Sequence, residues 1–145
     1  MVVIASDHAG VVLKARIVEL IGDAGLEVRD LGPADTTSVD YPDFAHALAE
    51  TVAAGEAERG ILICGTGIGM SLAANRHPQV RAALCHDAFT AEMARRHNDA
   101  NVLCIGARST GPGVAEQIVR IFLETAFEGG RHQRRVDLIE YERGN

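Results

Sequence analysis

One stretch, GILICGTGIGMSLAANRH from Gly60 to His77, decides the fold class of this chain. An apolar strand pattern ends at Cys64, a glycine-rich turn follows it, and a helical pattern begins within the turn. Short strand patterns of this kind alternate with amphipathic helical patterns along the chain, which indicates βαβ units. The predicted strands are VVIAS (2–6), LEVRDLG (26–32), GILIC (60–64), RAALCH (81–86) and NVLCIG (101–106).

This alternation predicts an α/β protein with a five-stranded parallel sheet between two layers of helices, a three-layer α/β/α, Rossmann-like domain. The chain has 145 residues, enough for one well-buried core but too few for two, so a single domain over residues 1–145 is expected. The basic tail from residue 128 predicts a last helix. Ligands of such sheets bind beyond the carboxyl ends of the strands, and the site residues are expected there.

The composition argues against several classes of protein. A formal net charge of −6 disfavours binding to nucleic acids or anionic membranes, and any phosphate site would depend on a local group of arginines. The absence of Trp and an aromatic content of 4% disfavour a platform for stacking bases. No apolar run has membrane-spanning length and the N-terminus lacks a secretory pattern, so a cytoplasmic protein is expected. Three cysteines without CxxC spacing indicate reduced thiols.

The glycine-rich turn has three interpretations. A dinucleotide fingerprint would need glycines at 65, 67 and 70, but position 70 is Met and the turn follows the third strand rather than the first. Asp87 is nominally available as the ribose ligand of that fingerprint. A tight turn without a ligand is the second interpretation. The third is a cradle of backbone N–H groups for an oxyanion or an enediolate.

Cys64, at the last position of the strand, adds chemistry to the turn. A helix N-terminus stabilises a nearby thiolate, which can act as a base or a nucleophile. The alternative is a small buried strand residue, the interpretation that we give to Cys85 and Cys104. Cys64 alone does not decide between them.

Five ordered motifs lie at the predicted strand ends and helix ends. They are SDHAG (6–10), CGTGIGMS (64–71), RRHNDANVL (95–103), GAR (106–108) and EGGRHQRR (128–135). With these motifs the chain resembles the ribose-5-phosphate isomerase B family, which also includes galactose-6-phosphate and allose-6-phosphate isomerases. The resemblance runs from residue 2 to about residue 140.

The resemblance implies a reaction and an assembly. Members interconvert aldose and ketose phosphates through a cis-enediol without a metal or organic cofactor, and ribose 5-phosphate with ribulose 5-phosphate is the expected pair. Part of the family uses a glutamate as base where this chain has Met70, so the chain resembles the branch whose base is a cysteine. The resemblance further implies a homodimer or homotetramer with active sites built between subunits, and the tail 128–145 is expected to pack on a neighbour.

The resemblance also assigns roles to matching residues. Cys64 would move a proton between C1 and C2, and His97 would open the furanose ring by acid–base catalysis. The Thr66 hydroxyl would hold the enediolate oxygens with backbone groups of the turn. The substrate-binding residues are then Asp7, His8, Gly65, Gly67, Ile68, Gly69, Asn98, Arg108, Arg131 and Arg135. The spacing of the last two supports this assignment, because residues four apart share one helical face.

Several alternatives remain open at this point. His97 could only cap a helix, whereas Arg134, His46 and His77 have no predicted role in the site. A metal trio of His8, His86 and His97 lacks local ligand spacing, and no metal is expected. Other functions are an isomerase of a tetrose or hexose phosphate, a nucleotide-binding or sensory module, and an inactive subunit of a mixed oligomer.

Overall fold

The computed structural model describes residues 1–141, and the last four residues of the predicted tail lie outside the described residues. The strands are β1 (Val2–Ser6), β2 (Val28–Asp30), β3 (Arg59–Cys64), β4 (Ala82–Leu84) and β5 (Val102–Gly106). The helices are α1 (Val11–Asp23), α2 (Tyr41–Ala53), α3 (Ile68–Ala74), α4 (Ala88–Arg96), α5 (Pro112–Glu124) and α6 (Arg131–Asp137). Across residues 1–141, every helix falls short of the length and apolar character that a bilayer crossing requires.

The five strands form one parallel sheet in the order β2-β1-β3-β5-β4, which confirms the predicted fold class. The three central strands are almost wholly buried because helices cover both faces of the sheet, and this explains their continuous apolar sequences. The edge strands β2 and β4 have three residues each and are only partly buried. They are shorter than the predicted segments 26–32 and 81–86.

The core has two layers, one on each face of the sheet. On one face α1, α4 and α5 pack through residues such as Ile17, Ala91 and Phe122. On the other face α2 and α3 pack through residues such as Leu48 and Met70, the latter fully buried. All three cysteines are free and buried, as predicted for reduced thiols.

The strand order reverses between β1 and β3, and this switch point is where parallel sheets bind ligands. Backbone hydrogen bonds join the strand ends around it. The Asp7 N–H donates to the Ile63 carbonyl at 3.0 Å, and the Arg108 N–H donates to the Gly65 carbonyl at 2.9 Å. The segments that follow β1, β3 and β5 are therefore held together at the edge of the sheet where strands end, which we call the carboxyl edge.

Helices α4 and α5 run back along the sheet in the opposite direction to the strands. The end of α4 and the segment after α5 consequently meet at the edge where strands begin, which we call the amino edge. There the Glu128 N–H donates to the Arg96 carbonyl at 3.1 Å, and the Gly60 N–H donates to the Asn101 carbonyl at 2.9 Å. Helix α6 starts from this edge.

Candidate active site

The glycine turn folds around the sulfur of Cys64 at the carboxyl edge. The Gly67 N–H donates to Cys64 Sγ at 3.1 Å, and Cys64 is 5% exposed. Gly67 has φ of 78°, a left-handed conformation that favours glycine, and a side chain there would lie 2.6 Å from Leu84. The turn thus places a backbone N–H donor against the sulfur atom of Cys64.

Further polar groups lie on the rim of the same turn. Thr66 is exposed, and its hydroxyl oxygen accepts a hydrogen bond from the Ile68 N–H at 3.3 Å. Gly65 and Gly69 are half-buried on either side of it. The turn combines a nearly buried thiol with a hydroxyl and backbone N–H groups that a ligand can approach.

Arg108 lies against this turn. A Cβ atom added to Gly65 would be 3.4 Å from Arg108 Nη1, so the guanidinium runs alongside the backbone of the turn. Within residues 1–141, Arg108 forms no ion pair with a carboxylate. Its positive charge is available to an anion at the switch point.

Asp7 and His8 follow β1 on the other side of the switch point. Asp7 is 8% exposed, and its Oδ1 accepts a hydrogen bond from the Ala9 N–H at 2.9 Å. His8 Nδ1 accepts a hydrogen bond from the Val39 N–H at 3.2 Å. Because Nδ1 is the acceptor, a neutral His8 ring carries its proton on Nε2, which can donate to a ligand.

Tyr41 is a residue of this site that the sequence analysis missed. It begins α2, and a Cβ atom on Gly69 would lie 2.5 Å from its ring, so only glycine allows the phenol to cover the turn. The sequence pattern showed the following segment only as a core helix. Contact between the start of α2 and the turn after β3 depends on tertiary packing, which no local motif reveals.

A second group of predicted residues lies at the amino edge. His97 caps the C-terminus of α4, and its ring stacks on His132 with centroids 4.2 Å apart and an interplanar angle of 12°. The Glu128 carboxylate faces both rings, with Oε1 3.7 Å from His97 Nε2 and Oε2 3.8 Å from His132 Nε2. Arg96 Nε also donates to Glu128 Oε1 at 2.8 Å. His132 and Glu128 belong to a motif that the sequence analysis quoted, but it gave them no role.

Helix α6 carries Arg131 and Arg135, which are exposed and share one helical face as predicted. Neither forms an ion pair with a carboxylate of residues 1–141. Burial of His132, followed by the nearby charges of His97 and Arg131, lowers the pKa of His132 below its ordinary value. Its ring is therefore neutral near pH 7 and can stack on His97 without like-charge repulsion.

An open cavity of about 840 Å³ adjoins this second group rather than Cys64. Asn98, which is exposed directly after His97, lines it together with Arg81 and Tyr141. The cavity therefore lies at the amino edge, away from the thiol.

The predicted site residues thus fall into two groups within one chain. The carboxyl-edge group comprises Asp7, His8, Cys64, Gly65, Thr66, Gly67, Ile68, Gly69 and Arg108. The amino-edge group comprises His97, Asn98, Arg131 and Arg135. The five residues of β5 span on the order of 13 Å between the two edges. A single chain consequently does not bring His97 to Cys64.

Three other polar residues of the sequence have structural contacts. Asp87, the nominal ribose ligand, caps α4 instead, and its Oδ1 accepts a hydrogen bond from the Thr90 N–H at 2.7 Å. That bond lowers the pKa of Asp87. His46 Nδ1 and His77 Nε2 lie 2.7 Å apart and join α2 to the segment after α3, in keeping with a structural role.

Comparison with known proteins decides the relationship that the motifs indicated. A family model described as Ribose/Galactose Isomerase matches residues 2–139. The chain belongs to this ribose/galactose isomerase family. The matched range includes both the carboxyl-edge group and the amino-edge group of site residues.

Individual relatives agree with this assignment. The ribose-5-phosphate isomerase B of Escherichia coli (strain K12) is 46% identical over 92% of this chain and 89% of its own length. A D-erythrulose-4-phosphate isomerase of Pectobacterium atrosepticum is 41% identical over 97% of this chain and 93% of its own. Among solved structures, Clostridium thermocellum ribose-5-phosphate isomerase B has a TM-score of 0.94 at 48% identity, covering 95% of this chain and 93% of that one. The predicted resemblance to the B-type isomerases is confirmed, and the activity class is sugar phosphate isomerisation.

Proposed function

We propose that this chain interconverts ribose 5-phosphate and ribulose 5-phosphate through ring opening and a cis-enediol, without a cofactor. The observation that carries the proposal is the Cys64 sulfur, held by a backbone N–H at the switch point of the sheet and flanked by an arginine without a carboxylate partner in residues 1–141. This combination provides a base, donors for a developing oxyanion and a positive charge for a phosphate.

Proton transfer would use the thiolate of Cys64. It takes the proton from C2 of the open-chain aldose, and the electron pair forms the C1–C2 double bond of the enediolate while the C1 carbonyl oxygen gains negative charge. A proton then passes from the C2 hydroxyl to the C1 oxygen, the protonated sulfur returns its proton to C1, and the C2 oxygen becomes the ketone. Donors on the turn and the Thr66 hydroxyl stabilise charge that appears only after proton abstraction, which accelerates that step. Met70 is fully buried and cannot replace the thiolate as base.

Ring opening would use His97, because an imidazole can both donate and accept a proton. It gives a proton to the ring oxygen while the anomeric hydroxyl loses one, which produces the open-chain aldehyde. Stacking on His132 and the facing Glu128 carboxylate hold the imidazole in one place. Asn98, the next residue, is positioned to contact sugar oxygens beside it.

A shared site follows from the separation of the two groups. A second copy related by a twofold axis could place His97 of one chain beside Cys64 of the other, and the same axis would generate two equivalent sites. Exposed apolar side chains beside the turn support such a contact. Ile68 is 51% exposed and Leu72 is 61% exposed, one turn apart on α3, and burial against a partner would remove both from water. We therefore propose a homodimer, or a tetramer built from such dimers.

Phosphate binding would join both halves of this shared site. Arg108 and the Nε2–H of His8 would contact the phosphate from the chain that provides the thiol. Arg131 and Arg135 would reach it from the neighbouring chain. This cluster explains how a chain of net charge −6 can bind an anionic sugar.

A panel of substrates tests the proposed reaction. The purified full chain should give its highest kcat/KM with ribose 5-phosphate and lower values with a tetrose 4-phosphate and a hexose 6-phosphate. One carbon in a pocket is worth about 1–3 kcal/mol, so differences of roughly 10–200-fold are expected. Preference for the tetrose or hexose phosphate would overturn the substrate, and no turnover of any of the three would overturn the reaction.

Arg135→Ala should raise KM for ribose 5-phosphate far more than it lowers kcat. Loss of a charged phosphate contact that is buried in the assembly costs about 2–5 kcal/mol. Arg134→Ala is the matched control, because Arg134 is an exposed neighbour on the same helix and should leave KM unchanged. Equal effects of the two substitutions on KM would contradict the assigned phosphate contact.

A further inference from the structure

Three side chains that can bind a metal ion lie close together at the amino edge, although their spacing in the sequence matches no metal-binding motif. Ligand atoms of His97, Glu128 and His132 all lie within 4.8 Å of one another. Two imidazoles and one carboxylate form a ligand set that Zn²⁺ takes in three-ligand protein sites. Their chemistry favours a transition metal over Mg²⁺ or Ca²⁺, which prefer oxygen ligands.

The three ligand atoms must move closer together to hold an ion. Bonds of about 2.0–2.1 Å in a tetrahedral site place ligand atoms roughly 3.3 Å apart. Glu128 Oε2 is 3.8 Å from His132 Nε2, so this contact closes by about half an ångström. The other ligand atoms lie within 4.8 Å of one another and approach by at most roughly 1.5 Å. A carboxylate side chain with several rotatable bonds can make that adjustment.

The stacked rings must also open, since the lone pairs of parallel rings do not converge on one point. The His97 side chain is 38% exposed, and the terminal torsion of histidine is broad, so this ring can turn. The His132 side chain is 9% exposed and stays as the fixed ligand. An ion would thus bind by turning His97 away from its stacked position.

Arg96 orients the Glu128 carboxylate. Its Nε holds Glu128 Oε1 at 2.8 Å, which leaves Oε2 to bind an ion while Oε1 keeps its partner. Outer hydrogen bonds of this kind orient a metal ligand. The charges of Arg96 and Arg131 oppose a dication, so an ion with a strong preference for imidazole nitrogen is required.

We propose that His97, Glu128 and His132 form a binding site for a transition-metal cation of the Zn²⁺ type, and that occupancy inhibits the enzyme by withdrawing His97 from proton transfer. The metal is an inhibitor here and takes no part in turnover. The proposed metal binding is supported by the geometry of the three side chains. The proposed inhibition rests on the role of His97 in the proposed function.

Binding is measured without reference to activity. Chelator-treated full-length protein is titrated with Zn²⁺ by calorimetry, and with Co²⁺ by absorption, where strong visible bands report a tetrahedral site. One ion per chain is expected. Glu128→Gln, at a partly exposed position, and His132→Gln should each weaken binding by at least roughly 10–100-fold. His77→Gln removes a member of the other histidine pair and should leave binding unchanged.

The outcomes separate the two parts. No saturable binding, binding that survives both Glu128→Gln and His132→Gln, or binding lost in His77→Gln would overturn the site. Zn²⁺ that binds in the expected way should also inhibit ribose 5-phosphate turnover, with full recovery on adding chelator, and bound Zn²⁺ without inhibition would overturn the inhibitory role. A metal-free protein that binds Zn²⁺ as expected but turns over none of the sugar phosphates would instead contradict the proposed function and leave the site standing.

Discussion

Cys64→Ser should lower kcat for the isomerisation by roughly 10²–10⁴-fold, the usual contribution of a positioned general base, while KM changes little. Serine is close to cysteine in size, so the turn keeps its shape around it. Its hydroxyl is a far weaker acid than a thiol, however, and does not ionise at neutral pH. The Gly67 N–H that now meets the sulfur at 3.1 Å would face a neutral oxygen.

Exchange of the sugar's C2 proton with deuterated solvent measures this step directly by NMR. The serine variant should lose exchange while a substrate analogue still binds, because Arg108 and His8 are unchanged. Cys104→Ala is the matched control, since Cys104 is a fully buried core thiol on the neighbouring strand and should retain exchange. If Cys64→Ser exchanged the proton at the normal rate, the base would have to be another group.

His97→Asn should have a similarly large effect, but only on substrates that form a ring. Turnover of ribose 5-phosphate should fall by roughly 10²–10⁴-fold, because the variant cannot move the proton that opens the furanose. A tetrose 4-phosphate carries its phosphate on the oxygen that would close a furanose ring, so it reacts in open-chain form. The variant should therefore retain most of the wild-type rate with this substrate.

The ratio of the two losses is the informative quantity. His46→Asn serves as the control, since His46 lies on α2 in contact with His77 and should change neither rate. Equal losses of His97→Asn on the ring-forming and open-chain substrates would reject the ring-opening role. Such a result would assign His97 to binding or to the proton transfer itself.

Much of the fold was predictable because the central strands are buried on both faces. The pattern VVIAS matched β1 from Val2 to Ser6, and the apolar runs of β3 and β5 were placed within one residue. The edge strands were predicted too long. The segments 26–32 and 81–86 have apolar residues that pack on the core beyond the ends of β2 and β4, as the buried Cys85 shows.

The candidate site was predictable as a list of residues but not as one location. Motif order says nothing about which side chains touch, and the stacking of His97 on His132 joins helices that are far apart in the sequence. The sequence nevertheless contained one indication that the site residues lie at two edges of the sheet. The motif around His97 precedes the fifth strand, whereas Cys64 ends the third, so the parallel topology alone assigns them to opposite edges. Tyr41 could not be found in this way, since its contact with Gly69 arises from helix packing.

The separation of the two edges makes the shared site the central claim, and mixing two inactive variants tests it most directly. Cys64→Ser and His97→Asn are denatured together in equal amounts, refolded, and assayed with ribose 5-phosphate. Random pairing makes half of the dimers mixed, and in each mixed dimer one of two sites combines an intact thiol with an intact imidazole. The mixture should therefore recover about a quarter of wild-type activity. Activity no higher than that of the separate variants, with mixed dimers detected by mass spectrometry, would contradict a site built from two chains.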